Sequence, residues 1–302
     1  MIELISASGR RIYVNPMTGH EERMLLTASK ATQDGSNTAS DNVLQDLTRK
    51  LVKRAEPELN FDTMLTGEEF DILYLIRLVS LGPLYEFRWT CPDCKKARDY
   101  HIDIRKMRRN VQRDPSFGDA DPAYELRKYE IRDVCEEGIL TADFTDLPSD
   151  RAGTNPDLTF ILPVTKDKVV CKLPTVPSKS IMEKWMEQED PRILSKQLAH
   201  MTISINGEYE KSRFSSNYDD RTTMERTWLR DRLADEMPGV DTKLDIKCAN
   251  RDCQVEQQAE VKIAGNFFLP QRAILTTWSG SYLASVLATG DGTPIQSWIS
   301  PF

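Results

Sequence analysis

The chain has 302 residues, 39% of them hydrophobic and 29% charged, with a formal net charge of −7. That length accommodates one large domain or two, with a core that can stand without help from a metal. The negative balance argues against nonspecific nucleic-acid binding as the main activity, six cysteines are too few for a disulfide scaffold, and no apolar run reaches the roughly 18 residues of a membrane span.

The N-terminal MIELISASGRRIYV has no basic region followed by a long apolar run. No signal peptide is expected, and the protein is expected to be soluble and made in cytosol. Residues 3–14 read as a hairpin turning at Ser8-Gly9. Glu21 to Ser29 suits a helix carrying Met24, Leu25 and Leu26. ATQDGSNTAS (31–40) is small, polar and apolar-poor and reads as a mobile loop. A helix is expected from Asn42 to about Ala55, capped by Ser40 or Asp41, with Val43, Leu44, Leu47 and Leu51 on one face.

Thr66-Gly67-Glu68-Glu69 has the form of a capping box. The helix it opens, Phe70 to Val79, is apolar nearly all round apart from Arg77, so it belongs in a core or between packed layers. Gly82-Pro83 stops it. Leu84–Thr90 alternates towards Cys91-Pro92-Asp93-Cys94, and Tyr100–Ile104 alternates away, which is the strand–turn–strand form of a zinc ribbon.

Residues 105–155 read as a loop-rich insertion with one short helix near Ala123–Tyr129. Arg105, Lys106, Arg108, Arg109 and Arg113 place five positive charges in nine residues. A solvated or partner-facing surface explains them more simply than a phosphate grip does. Periodicity then returns with a hairpin, Leu158–Leu162 and Val169–Leu173. Helices follow from Pro177 and from Pro191, and the second leads into Met201–Ile205 with an Asn206-Gly207 turn. A further helix, capped by Asp219 or Asp220, carries Met224, Trp228, Leu229, Leu233 and Met237 and ends at Pro238-Gly239. Lys243–Lys247 enters, and Val255–Ile263 leaves, the second cysteine pair, Cys248 and Cys253. The last 38 residues contain only Arg272 and Asp291 as charges. A tail that poor in charge packs on its own domain or is covered by another protein, with Trp278, Tyr282, Trp298 and Phe302 as candidate anchors.

The two cysteine pairs carry the strongest chemical signal. Thiolates two to four residues apart can turn back on one ion, and Cys91, Cys94, Cys248 and Cys253 together make a tetrahedral all-cysteine site suited to zinc. A redox CxxC fits less well, because it opens a helix after a strand and Lys95–Ile104 reads as a returning strand. Four cysteines leave no open coordination position, so the zinc is expected to be structural. Cys135 and Cys171 are solitary and read as buried small apolar side chains. No phosphate loop, GxGxxG, GxSxG elbow or HExxH occurs, and His20, His101 and His200 read as structural. No enzyme is expected.

In its order of features the chain resembles the T4-type baseplate hub protein family of contractile-tailed bacteriophages. The resemblance rests on the apolar helix 70–79 running through Ser80-Leu81-Gly82-Pro83-Leu84-Tyr85 into Cys91-Pro92-Asp93-Cys94, and on Lys172-Leu173-Pro174-Thr175. It continues with Ser204-Ile205-Asn206-Gly207, the helix around Trp228–Met237, and a second cysteine pair before Phe267-Phe268-Leu269-Pro270. It covers about residues 60–270; the insertion 105–155 and the tail after Pro270 depart from the pattern. It implies a structural or assembly component near the hub, working through contacts with other baseplate proteins without catalysis. Such a protein is assembled in the host cytoplasm and ends in the virion, or leaves as an assembly factor. The alternative, a zinc-ribbon nucleic-acid-binding protein, would use the basic run 105–113 with Tyr85, Trp89 and Tyr100; a cytoplasmic enzyme with a structural zinc is a third class.

The expected fold is therefore α+β, with mixed helices and short antiparallel hairpins around a four-cysteine zinc-ribbon clasp and an extended apolar C-terminal tail. The expected divisions are 1–58, an N-terminal hairpin and helices; 59–270, the zinc-clasped domain with insertion 105–155; and 271–302, the interaction tail. No membrane contact is expected, nucleic acid is disfavoured, and the sequence leaves the homo-oligomeric state open.

Overall fold

The computed structural model describes residues 2–33, 37–110, 133–134, 140–141, 153–187, 190–261 and 265–268. Alternating apolar residues form the expected hairpin, β1 (Ile2–Ile5) and β2 (Arg11–Val14), with Ile2 opposite Val14 and Ile5 opposite Arg11. Gly9 makes the turn at a left-handed φ of 84° and donates its N–H to the Ser6 carbonyl.

Two helices follow, α1 (Gly19–Gln33) and α2 (Asn37–Leu51). The stretch expected to be a loop at 31–40 is thus mostly helical. Small polar residues form an exposed helical turn as readily as a loop, and only Gly35 in that stretch strongly opposes a helix. The second helix starts earlier and stops earlier than expected. Val52–Glu56 instead forms β3, which pairs with β2 (Ile12 opposite Ala55) and closes the sheet order β1-β2-β3. Pairing with an available strand overrides the local helical pattern there.

Glu21 in the first turn of α1 reaches Lys50 of α2 at 2.6 Å and accepts from Thr18. The Lys50 ammonium, helped by the Thr18 hydroxyl, holds its carboxyl down at about 2. Because the folded value lies below the unfolded one, this stabilisation is full above about pH 4.5 and is lost as pH falls towards 2. Glu21→Gln is expected to flatten that part of the acid profile, read as urea midpoints at pH 6 and pH 3.

The third helix, α3 (Thr66–Leu81), is the centre of the first core. Ile72, Leu73, Tyr74, Leu75, Ile76 and Leu78 are buried. They share a cluster with Leu4, Ile12 and Val14 of the sheet, Leu25 of α1, Leu44, Leu47 and Leu51 of α2, and Phe267 and Phe268. Surrounding elements explain why the helix lacks a polar face. The capping box does not form. Leu65 is the N-cap and makes no side-chain cap bond, while the Thr66 N–H and hydroxyl both donate to the Pro174 carbonyl at 3.0 Å. A distant partner has taken the local one's place. At the other end Gly82, at φ 77°, donates to the Leu78 carbonyl as expected.

Arg77 is fully buried and bonds to carbonyls only: Nε to Phe267 at 3.1 Å, Nη1 to Gly82 at 2.5 Å and Nη2 to Leu84 at 2.7 Å. The rings of Tyr85 and Phe267 flank it at 5.3 and 5.1 Å, and burial lowers its pKa to about 10. Arg77→Met is expected to destabilise the fold by about 3 kcal/mol, since three buried carbonyls lose their donors; chemical denaturation measures it.

Beyond α3 come β4 (Leu84–Thr90), β5 (Ala97–Asp103), a 3-10 turn at Ile104–Lys106 and β6 (Arg109–Asn110). The basic run is not a surface patch throughout. Arg109 is fully buried on Asp71, and Arg105 bonds Asp103 at 2.6 Å. Hydrophobic neighbours cannot bury a guanidinium without a counter-charge, and α3 supplies one. Two short strands, β7 (Asp133–Val134) and β8 (Leu140–Thr141), pair with each other, and β8 lies beside β1. The expected helix at 123–129 and Cys135 lie outside the described residues.

The second core is built on the sheet β11-β10-β9. The expected hairpin β9 (Leu158–Ile161) and β10 (Lys168–Cys171) forms, followed by α4 (Val176–Glu187) and α5 (Ile193–Met201), which runs into β11 (Thr202–Ile205). Asn206 and Gly207 take left-handed φ of 52° and 83° in the expected turn. Where one helix capped by Asp219 or Asp220 is expected, there are two, α6 (Lys211–Asp219) and α7 (Thr223–Glu236), and Thr222 caps the latter by accepting from the Glu225 N–H at 3.3 Å. The polar sequence of α6 hides a helix that buries only Phe214 and Tyr218. These pack with Leu158, Val169, Cys171, Leu198, Leu229 and Leu233. Cys171 is buried as expected, against Thr202.

The chain then returns to the first core through β12 (Gly239–Val240), which pairs with β6, and through β13 (Lys243–Lys247) and β14 (Glu256–Glu260). At the junction a Cβ on Gly67 would lie 2.1 Å from the Pro238 carbonyl oxygen, and Gly239 adopts φ 140°. Only glycine permits both this close approach and this backbone. The described residues are thus α+β, with helices mixed among short antiparallel sheets.

Candidate metal centre

Each cysteine pair sits on the turn of a two-stranded hairpin. β4 and β5 pair from Leu84 opposite Asp103 to Thr90 opposite Ala97, and β13 and β14 from Lys243 opposite Glu260 to Lys247 opposite Glu256. The turns close in the same way. The Cys91 N–H donates to Lys96 O at 3.1 Å and the Cys248 N–H to Val255 O at 2.9 Å. In both, the residue after the second cysteine is left-handed, Lys95 at φ 57° and Gln254 at φ 48°. The Lys95 N–H reaches back to Cys91 O at 2.9 Å, and the Gln254 N–H to Asn250 O at 3.1 Å. The second turn therefore repeats the first, with Asn250 where Cys91 stands and Cys248 two residues earlier. That offset is the two-residue difference between CxxC and CxxxxC.

These turns bring all four thiols together. The Sγ atoms of Cys91, Cys94, Cys248 and Cys253 lie within 4.8 Å of one another, with Cys91 to Cys253 at 3.9 Å and Cys94 to Cys248 at 3.7 Å. Those separations are far from the ~2.05 Å of a disulfide. They match the edge of a tetrahedron with sulfurs about 2.3 Å from its centre, about 3.8 Å. Cys91 and Cys248 are buried, and Cys94 and Cys253 are partly exposed.

Three of the sulfurs accept a backbone N–H from the residue two positions on: Cys94 from Lys96, Cys248 from Asn250 and Cys253 from Val255. The Lys96 N–H is the main cause that brings the Cys94 thiol down to about 7. At Cys248 the Asn250 N–H also lowers the pKa, but burial and the neighbouring thiols outweigh it and push the group up to about 12. A cation entering such a set displaces the remaining protons, and oriented N–H groups stabilise the thiolates left behind.

Contacts around the sulfurs fix the two hairpins against each other. The Tyr100 hydroxyl accepts from the Ala249 N–H at 2.9 Å, and Asp93 accepts from Gln257 Nε2 at 2.7 Å. A run of rings leads from the site to the core: Trp89 edge-on to Tyr100 at 5.8 Å, Tyr100 to Phe87 at 5.9 Å, Phe87 to Tyr85 at 6.1 Å and Tyr85 to Phe267 at 5.0 Å. Sequence reasoning singled out the four cysteines but not Tyr100 as their link, nor Lys95 and Gln254, whose residue types give no sign of a left-handed backbone. His101 lies on β5 and His200 at the end of α5, where it meets Ser178 at 3.3 Å. Trp278, Tyr282, Trp298 and Phe302 lie outside the described residues.

No helix among the described residues is long and apolar enough to cross a membrane. Comparison with curated proteins and with solved structures finds no match. A family model described as T4 bacteriophage base plate protein matches residues 2–151, about half the chain. That span takes in β1, α3, the first cysteine pair and the stretch expected to be a departure at 105–151, and it stops before the second pair. The chain belongs to this family of phage base plate proteins, whose location is the tail of the virion.

Proposed function

We propose that this protein is a structural or assembly component near the central hub of a contractile tail baseplate, acting through contacts with other baseplate proteins. In this reading Cys91, Cys94, Cys248 and Cys253 bind one structural zinc. The observation that carries the metal assignment is the convergence of four thiols, about 150 residues apart in pairs, at the separations of tetrahedral ligands. Four protein sulfurs fill the coordination shell and leave no position for substrate, in keeping with a non-catalytic clasp. The charge-poor tail with Trp278, Tyr282, Trp298 and Phe302 would supply partner contacts, and the clasp would fix where that tail departs. Phe267 and Phe268, just before it, pack on α3.

The nucleic-acid reading loses support from burial. Arg109 is fully buried and Tyr85 nearly so, which removes two of the residues such a binder would present. Mass spectrometry of purified contractile tails tests the main reading. The chain should be found there, cross-linked to neighbours near the hub; its absence would sink the virion-component version.

A further inference from the structure

The segment between Asn110 and Gly153 leaves the described fold and re-enters it at one place. On the outgoing side, Arg109 sets Nε and Nη2 on the Asp71 carboxylate at 2.7 and 2.5 Å, and Nη2 also reaches the Ile5 carbonyl at 2.9 Å. Asn110 pairs with Gly239, and the Arg108 carbonyl accepts from Asp241 at 2.6 Å. On the return side, Gly153 sits against the Arg10 guanidinium so closely that a Cβ there would lie 2.8 Å from Nη2. Asn155 then bonds Leu173 in both directions, at 2.9 and 3.1 Å.

Arg10 is itself held by Glu68 at 2.7 Å and by the carbonyls of Pro57 and Glu58. Glu68 and Asp71 stand three residues apart at the start of α3, a spacing that puts side chains about 5–6 Å apart on one face. Both ends of the segment therefore rest on one helical turn, each beside a buried ion pair supplied from outside the segment. Its composition is also unlike the rest. Residues 111–152 hold eleven Asp and Glu against five Lys and Arg, so six of the chain's seven net negative charges lie there.

We infer that residues 111–152 are an insert which the fold carries but does not need. The paired Arg10–Glu68 and Arg109–Asp71 contacts close the fold beneath it, and the cysteine cluster is assembled without it. The test replaces 111–152 in the full chain by a flexible linker of about eight Gly and Ser residues, whose reach of roughly 15 Å or more suits ends anchored on one turn. The described contact that this variant gives up is β8 beside β1. The expected result is one cooperative thermal transition within about 10 °C of the parent, with unchanged metal content per chain. Loss of the cooperative transition, a larger fall, or a changed metal content would overturn the inference. As a second readout, the parent nicked by protease within 111–152 should elute as one species in gel filtration. Separation of the two pieces under native conditions would equally overturn it.

Discussion

Asp71→Leu is expected to destabilise the protein by about 3–5 kcal/mol, because it leaves a buried guanidinium without its counter-charge. Asp71 and Arg109 are both fully buried, and the carboxylate also accepts the Ala7 N–H at 2.8 Å. Leucine fills the space but strands two of the Arg109 donors and a backbone donor in a medium that cannot solvate them. For a chain of this size the loss corresponds to a fall in melting temperature of roughly 6–20 °C. Adding Arg109→Met should recover much of it, since replacing both members of a buried pair costs far less than breaking it. Urea denaturation of the two single variants and the double variant measures the coupling. A single variant that unfolds at the parental midpoint would show that the pair holds nothing.

Removing the metal is expected to have the second large effect, confined at first to the two hairpins. A two-stranded hairpin is marginal alone in water, and β4–β5 and β13–β14 belong to separate two-stranded sheets. What joins them is the thiol cluster, the Tyr100 hydroxyl and the Asp93–Gln257 contact. The polar links contribute about 1 kcal/mol each, against apparent zinc-binding energies on the order of 10 kcal/mol. Chelation should therefore open amide exchange over 84–103 and 243–260 and abolish the near-ultraviolet dichroism of Trp89. Exchange in the centre of α3 should remain slow, because its contacts lie in the first core. Exchange unchanged by chelation would mean that the clasp is not what fastens the hairpins.

What could be read from the sequence was local and periodic. The hairpins at 2–14, 84–103 and 158–171, and the apolar helix that became α3, follow from alternation, helical spacing and glycine stops. The cysteine pairs were legible for the same reason, since the spacing within each pair is short. What was not legible depends on partners far away in the chain. Thr66 and Glu69 have the letters of a capping box, yet the Pro174 carbonyl, 108 residues on, takes the Thr66 donors. Glu68 and Asp71 look like ordinary acidic residues near a helix start, and nothing in the spacing of Arg10 or Arg109 pairs them. Val52–Glu56 continues a helical pattern but lies where β2 needs a neighbour. Arg77 did leave a trace, a lone cation in an apolar helix; its three carbonyl partners could not be guessed.

Metal analysis by inductively coupled plasma mass spectrometry, on the parent chain and on Cys91→Ser purified without added metal, bears most directly on the zinc clasp. About one zinc per chain is expected in the parent, with a loss of about one zinc and a lower unfolding midpoint in the variant. Equal zinc in both, or a parent that folds with its hairpins joined and carries no metal, would contradict the assignment of the four cysteines.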